Sequence, residues 1–139
     1  KLRFIDVGCG TGILLRDVYL TLKGQYDLEL YGVDVNKRFL KHINRALPFI
    51  KTIHGDISII NIKNKFNIIT CLDVLEHILS DLEVINKLYN SLEKGGFLLL
   101  TVPAFPSLYS YHDRILGHYR RYTKKSLLKL FIKTNLSHF

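Results

Sequence analysis

Methionine and tryptophan are absent from these 139 residues, and there are only two cysteines and three prolines. Cys9 and Cys71 lie in glycine-rich or apolar segments without CxxC spacing. That argues against a disulfide framework or a cysteine metal module, and it makes a reducing cytoplasm the expected setting. Long apolar runs are also missing. The longest, Phe97 to Leu100, falls far short of the ~18 residues that span a bilayer, and no signal peptide is visible. Without a methionine the chain opens directly on Lys1 and an apolar strand follows at once, so residues before Lys1 are expected in the natural protein. Acidic residues are outnumbered 12 to 20, giving a net charge of +8. That surplus speaks to solubility and general attraction for anions, not to function. Repeats, low-complexity tracts and linkers are lacking, which leaves one ordinary globular domain, 47% hydrophobic and 23% charged.

What is present alternates β-branched runs with amphipathic ones. Strands are expected at Leu2–Val7, Leu28–Val33, Ile50–His54, Phe66–Leu72 and Phe97–Val102. Helices are expected from Gly12 to about Lys23, with Ile13, Leu14, Val18 and Leu22 on one face, and from the cap Asn36 to about Arg45. A capping box at Ser80–Glu83 would open another, ending near Leu92 at Gly95–Gly96. Thr123 would cap a last one to about Lys133, after a long polar and aromatic loop. This alternation implies an α/β fold, a doubly wound, mostly parallel sheet whose ligands bind beyond the carboxyl ends of its strands.

The turn after the first strand is Gly8-Cys9-Gly10-Thr11-Gly12, leading into a helix N-terminus. Glycines permit positive φ and close approach of a ligand. The spacing is GxGxG, not the GxGxxG of dinucleotide sites. Asp6, two residues ahead, would repel a pyrophosphate. It suits a ligand with a cationic amino group, such as S-adenosylmethionine. Asp34 ends the second strand, 22 positions after Gly12, near the spacing at which a carboxylate takes ribose hydroxyls. Asp56 follows the third strand, where it could accept a bond from an adenine amino group. Singly, each acid also reads as a cap or a solvated turn.

On these residues the chain resembles the class I S-adenosylmethionine-dependent methyltransferases, most closely the ubiquinone-biosynthesis-like group of types 11 and 12. The resemblance covers nearly all of residues 1–139, as one cofactor-binding core. It implies the strand order 3-2-1-4-5. The helices usual before the first strand, and the last two strands, find no counterpart, so the core is expected to be incomplete at both ends. It further implies that Asp6 serves the methionine end, that Gly8, Cys9, Gly10 and Gly12 let the cofactor approach, that Asp34 and Val35 hold the ribose, and that Asp56 and Ile57 hold the adenine. The segment Asp73-Val74-Leu75-Glu76-His77 resembles the family's DVLEH, with Leu72 and Asp73 lining the methionine side.

Methyl transfer needs positioning and a dry site more than a catalytic group. A base is needed only for a weakly acidic acceptor. His112 and His118, in the loop after the fifth strand, are the candidates for that base. Tyr109, Tyr111, Arg120 and Arg121 are candidates for substrate contact, although His–Asp and Arg–Arg groupings also fix long loops to domains. The DxxEH cluster Asp73, Glu76 and His77 offers an alternative as a divalent-cation site, with His112 as a possible fourth ligand, like that of metal-dependent RNA or catechol O-methyltransferases. The balance lies with no metal. There is no (Asn/Asp)-Pro-Pro-(Tyr/Phe) segment, Pro-Cys nucleophile or added nucleic-acid module, which argues against nucleic-acid acceptors. The expected function is O-, N- or C-methylation of a small molecule. A second expectation is a non-catalytic cofactor-binding domain in a larger assembly.

Overall fold

The computed structural model describes residues 1–134. Five parallel strands form one sheet: β1 (Leu2–Val7), β2 (Leu28–Asp34), β3 (Ile50–His54), β4 (Phe66–Leu72) and β5 (Leu92–Thr101). Their order is β3-β2-β1-β4-β5, as the resemblance implied. The helices are α1 (Ile13–Leu22), α2 (Lys37–Ala46), α3 (Asp81–Asn90), α4 (Tyr111–Leu116) and α5 (Lys124–Lys133).

The alternation of side chains along each strand divides the core. Phe4, Leu30 and Ile50 point to one face and pack with Leu15 of α1 and Leu40 and Ile43 of α2. Ile5, Val7, Tyr31, Val33, Phe66, Ile69 and Cys71 point to the other, against Val84, Ile85 and Leu88 of α3. Leu127, Leu130 and Phe131 of α5 close that second layer. Both faces of the central strands are covered, which is why β4 reads as a nearly all-apolar run.

Four local expectations are corrected. In α1 the buried anchor is Leu15, while Ile13 is 58% exposed. Leu14 and Val18 do pack on the core as expected, joined by Leu15 and Tyr19, and Ile13 falls off the expected face. Ser80 precedes α3 but makes no side-chain cap; instead Asp81 Oδ1 accepts the Leu82 N–H at 2.8 Å. The pair Gly95–Gly96 does not stop that helix. It lies inside β5, where the register jumps from Phe66↔Leu92 to Ile68↔Phe97. A Cβ on Gly96 would come within 2.9 Å of the Asn67 carbonyl oxygen, so glycine is required where the strands close up. The long loop also contains α4, capped by Ser110 and Asp113 in a reciprocal box.

Leu15 is fully buried between α1 and the sheet. Leu15→Ala should cost about 2–5 kcal/mol of stability. The expected readout is a lower urea midpoint with an unchanged m value.

Candidate functional site

A cleft of about 420 Å³ opens at the carboxyl ends of the strands, lined by Val7, Gly8, Val33, Asp34, Val35, Gly55, Asp56, Ile57, Asp73, Val74, His77 and Ile78. It lies at the switch point, where the chain leaves β1 and β4 for opposite faces of the sheet. Of the expected cofactor residues, Gly8, Asp34, Val35, Asp56, Ile57 and Asp73 line it. Asp6, Cys9, Gly10, Gly12 and Leu72 are not among the lining residues.

The glycines of the turn have distinct physical roles. Gly8 has φ 77°, and a Cβ there would lie 2.3 Å from Val74 Cγ2. The turn can thus press onto the segment after β4 only without a side chain. Gly10 has φ 53°, and a Cβ there would meet nothing within 4 Å, so its backbone borders open space. Gly12, at φ 80°, is crowded by the Ile43 side chain at 3.0 Å. Its reason is packing of α1 on α2.

Asp34 ties the turn to the second strand end. Its Oδ2 accepts the Gly10 N–H and its Oδ1 the Asn36 N–H, both at 2.8 Å. One further lone pair on each oxygen is left for a ligand. Asp56 Oδ1 accepts from Ser58 N–H at 2.8 Å and Ser58 Oγ at 2.7 Å. Asp73 adopts φ 53°, an uncommon left-handed conformation for an aspartate. Its Oδ1 accepts from Thr101 Oγ1 at 3.1 Å.

Asp6 is buried beneath the turn and accepts a 2.6 Å bond from Thr70 Oγ1. Burial pushes its carboxyl up to about 6, opposed by the Thr70 bond and assisted by the charge of Asp34. Burial likewise pushes the Cys9 and Cys71 thiols up to about 12. Neither is a ready nucleophile.

The residues expected to touch substrate are largely committed elsewhere. Arg121 Nε and Nη2 donate to Asp113 at 2.7 and 3.0 Å. The Arg121 guanidinium beside Asp113 holds that carboxyl well below the usual range. Arg120 donates to Asp81 Oδ2 at 2.8 Å and to the Leu79 carbonyl at 2.9 Å. Tyr109 donates to the His118 carbonyl at 2.7 Å. Both arginines therefore fasten the loop to the domain. Tyr111 and His112 are exposed on α4. His118 Nδ1 lies 3.0 Å from Asp113 Oδ1, and its ring meets His77 edge-on at 4.6 Å between centroids.

The metal alternative changes its membership. Glu76 and His77 come together with His118, their ligand atoms all within 4.8 Å. Asp73 and His112 stand outside that group.

Sequence reasoning passed over Val74 and Ile78, which wall the cleft. It also missed Lys87, whose Nζ donates to the Ile57, Ser58 and Ile60 carbonyls at 2.7, 2.9 and 2.8 Å. Only burial distinguishes Lys87 from the other lysines, and no spacing marks it.

Fold and cleft define an α/β protein of the nucleotide-binding, Rossmann-like class. A family model described as "Methyltransferase domain" matches residues 1–138, and the chain belongs to that family. A curated relative, malonyl-[acyl-carrier protein] O-methyltransferase of Calditerrivibrio nitroreducens, is 28% identical over 100 residues, covering 70% of this chain and 36% of the relative. Among solved structures, the plantazolicin methyltransferase in complex with a triazolic desmethylPZN analog and SAH superposes with a TM-score of 0.78 at 16% identity, covering 99% of this chain and 57% of that one. The SAM-bound amino pentose methyltransferase from Micromonospora echinaspora gives 0.66 at 24% identity, covering 78% and 46%. These likenesses show the fold. The chain spans between about a third and three fifths of those proteins' lengths. No helix among the described residues is long and apolar enough to cross a membrane.

Gly8→Ala should weaken cofactor binding at least tenfold, because Val74 is β-branched and stiff. Adding Val74→Ala should recover part of that loss. Calorimetric titration of the single and double variants with S-adenosylmethionine checks both expectations.

Proposed function

We propose that this chain is the S-adenosylmethionine-binding core of an enzyme that methylates a small molecule. One observation carries the reading. In a chain of net charge +8, ion pairs among the described residues reach Asp17, Glu29, Asp81, Glu93 and Asp113. None reaches Asp6, Asp34, Asp56 or Asp73, the acids gathered at the cleft end of the sheet. Twenty basic side chains are available, and all are kept from these four carboxylates. Such a site favours a cationic ligand that brings hydroxyl and amino donors.

S-adenosylmethionine fits this description, with its ammonium, sulfonium, ribose hydroxyls and adenine amine. The open backbone at Gly10 gives the room for a close approach that a side chain would take away. Asp34 would accept from the ribose hydroxyls through its remaining lone pairs. Asp56 and the buried Ile57 would hold the adenine, one by a hydrogen bond and the other by apolar contact. Asp6 would act through its charge on the methionine ammonium, from behind the turn. Asp73 would face the same end. When bound, the cofactor supplies an electrophilic methyl group with a good thioether leaving group. The chain's part is then to hold donor and acceptor in line and to exclude water. The relatives' names, an acyl-carrier-bound malonyl group and an amino pentose, support acceptors of modest size.

Calorimetry with S-adenosylmethionine tests the reading, and absence of binding by the full-length protein overturns it. Asp34→Asn should weaken binding roughly ten- to a hundredfold, the range for hydrogen bonds to a charged group. The pH dependence has a definite sign. Asp6 titrates at about 6 in the free protein, and a neighbouring cation favours its ionised form. Affinity should hold above pH 7 and fall below pH 6, approaching about tenfold per pH unit for one linked proton. Asp6→Asn should flatten that profile. Transfer of a labelled methyl group to a small-molecule fraction of a cell extract tests catalysis.

A further inference from the structure

We infer that Lys87 is a positioning residue for the adenine end of the cleft, and that it sets the preference for an adenine amine by holding the Asp56 carboxylate in place from behind. The inference rests on the reading of the cleft as an S-adenosylmethionine site, and adds to it a residue outside the cleft lining.

The turn after β3 is bonded from two sides. On one side its donors converge on Asp56. Asp56 Oδ1 accepts from the Ser58 N–H and the Ser58 hydroxyl. The Asp56 carbonyl accepts from the Ile59 and Ile60 N–H groups, both at 2.9 Å. On the other side the carbonyls of the turn converge on α3. Lys87 Nζ donates to the Ile57, Ser58 and Ile60 oxygens at 2.7, 2.9 and 2.8 Å. Three carbonyl dipoles aimed at one point repel one another unless a cation stands there, and an ammonium has one proton for each.

The two sets of bonds are joined through peptide groups. The peptide that carries the Ile57 oxygen also carries the Ser58 N–H. The next one carries the Ser58 oxygen and the Ile59 N–H. Each is therefore bonded at both ends, to Lys87 through its oxygen and to Asp56 through its N–H. Hydrogen bonds linked in this way polarise and strengthen one another. The charge of Lys87 thus reaches Asp56 through two short chains of backbone.

This bracing decides what Asp56 can accept. Both of its side-chain bonds from the turn fall on Oδ1, so Oδ2 is the oxygen left for a ligand. A carboxylate oxygen only accepts. It suits the N–H groups of an exocyclic amine and opposes a carbonyl oxygen at the same place. A loosely held Asp56 would turn away from such an oxygen, whereas a braced one cannot. Lys87 therefore contributes selectivity, beyond support of the turn.

Calorimetric titration of the full-length protein with S-adenosylmethionine and with its hypoxanthine counterpart, S-inosylmethionine, tests this. The unaltered protein should prefer the adenine form about ten- to a hundredfold. Lys87→Met keeps an unbranched chain but no donor. It should weaken S-adenosylmethionine binding about tenfold and leave S-inosylmethionine within about threefold, so that most of the preference goes. Lys87→Arg should restore part of it. Asp56→Ala should also abolish the preference, and adding Lys87→Met to it should cost little more, because residues acting as one unit are not additive. Lys41→Met, on the opposite layer, should change neither affinity. Should Lys87→Met fail to fold, Lys87→Gln decides by the same ratio. Equal weakening of both ligands, additivity with Asp56→Ala, or no adenine preference in the unaltered protein each overturns the role of Lys87 alone. Absence of S-adenosylmethionine binding by the unaltered protein overturns the reading of the site, and this inference with it.

Discussion

The placement of β1 between β2 and β4 is the constraint on which the ligand end depends. Val7 pairs with Val33 on one side and with Cys71 on the other. The chain leaves β1 toward α1 on one face and leaves β4 toward α3 on the opposite face. Two departing segments cannot fill the space above the strand they straddle, and a cleft results. Gly8 then sets how closely the two sides meet, because only a bare backbone can lie against Val74. The apolar burial of Ile5, Val7, Ile69 and Cys71 fixes the register. A one-residue slip would turn those side chains out of their layer and displace the acids with them.

Around this opening the fold uses its basic residues as fasteners. Lys87 reaches from α3 to three carbonyls of the turn after Asp56. Backbone oxygens of an irregular turn would otherwise need water, and a single ammonium with three donors satisfies them together. Arg120 and Arg121 do the same for the long loop, through Asp81 and Asp113. Tyr122, buried at the loop's end, adds a 3.0 Å bond to Asp81. These side chains look from sequence like a positive patch for an anionic substrate. Their geometry makes them the means by which His118 is held at a fixed place.

The sequence was most legible where one physical signal dominated. The bounds of β1, β3 and β4 follow from β-branched runs, and the carboxyl-end acids follow from their position after those runs. It was least legible where two signals competed. Gly95–Gly96 reads as a helix stop, yet the close approach of the Asn67 carbonyl makes glycine a requirement of the strand. Ser80 reads as a cap, yet its neighbour Asp81 takes that task and also anchors Arg120. The six residues of α4 carry a capping pattern at Ser110–Asp113, which the aromatic content around it masks. His118 entered the sequence reading as a base and the acid–histidine cluster as Asp73, Glu76 and His77. Chain separation alone does not reveal that a loop 43 residues on folds back onto Glu76, as the bond from the Tyr119 N–H to the Glu76 carbonyl records.

The distribution of charge partners supplies the last step. Away from the cleft, buried or crowded acids are neutralised by the fold itself: Glu29 lies among Lys1, Arg3 and Lys51 and is held down to about 2, and Asp113 has Arg121. Asp6 and Glu76 are buried too, and burial pushes both carboxyls up, although His77 and His118 oppose the rise at Glu76. Burying a carboxylate without a counter-ion is costly, and a chain with this surplus of lysine and arginine has the means to avoid it. The two exceptions stand at the same end of the sheet, one beneath the glycine turn and one beside His77. The proposed cofactor supplies the missing positive charge at the first of these positions, through an ammonium for Asp6. Folding and binding then draw on the same electrostatic deficit, and the cleft is the region whose stability should respond most strongly to its ligands.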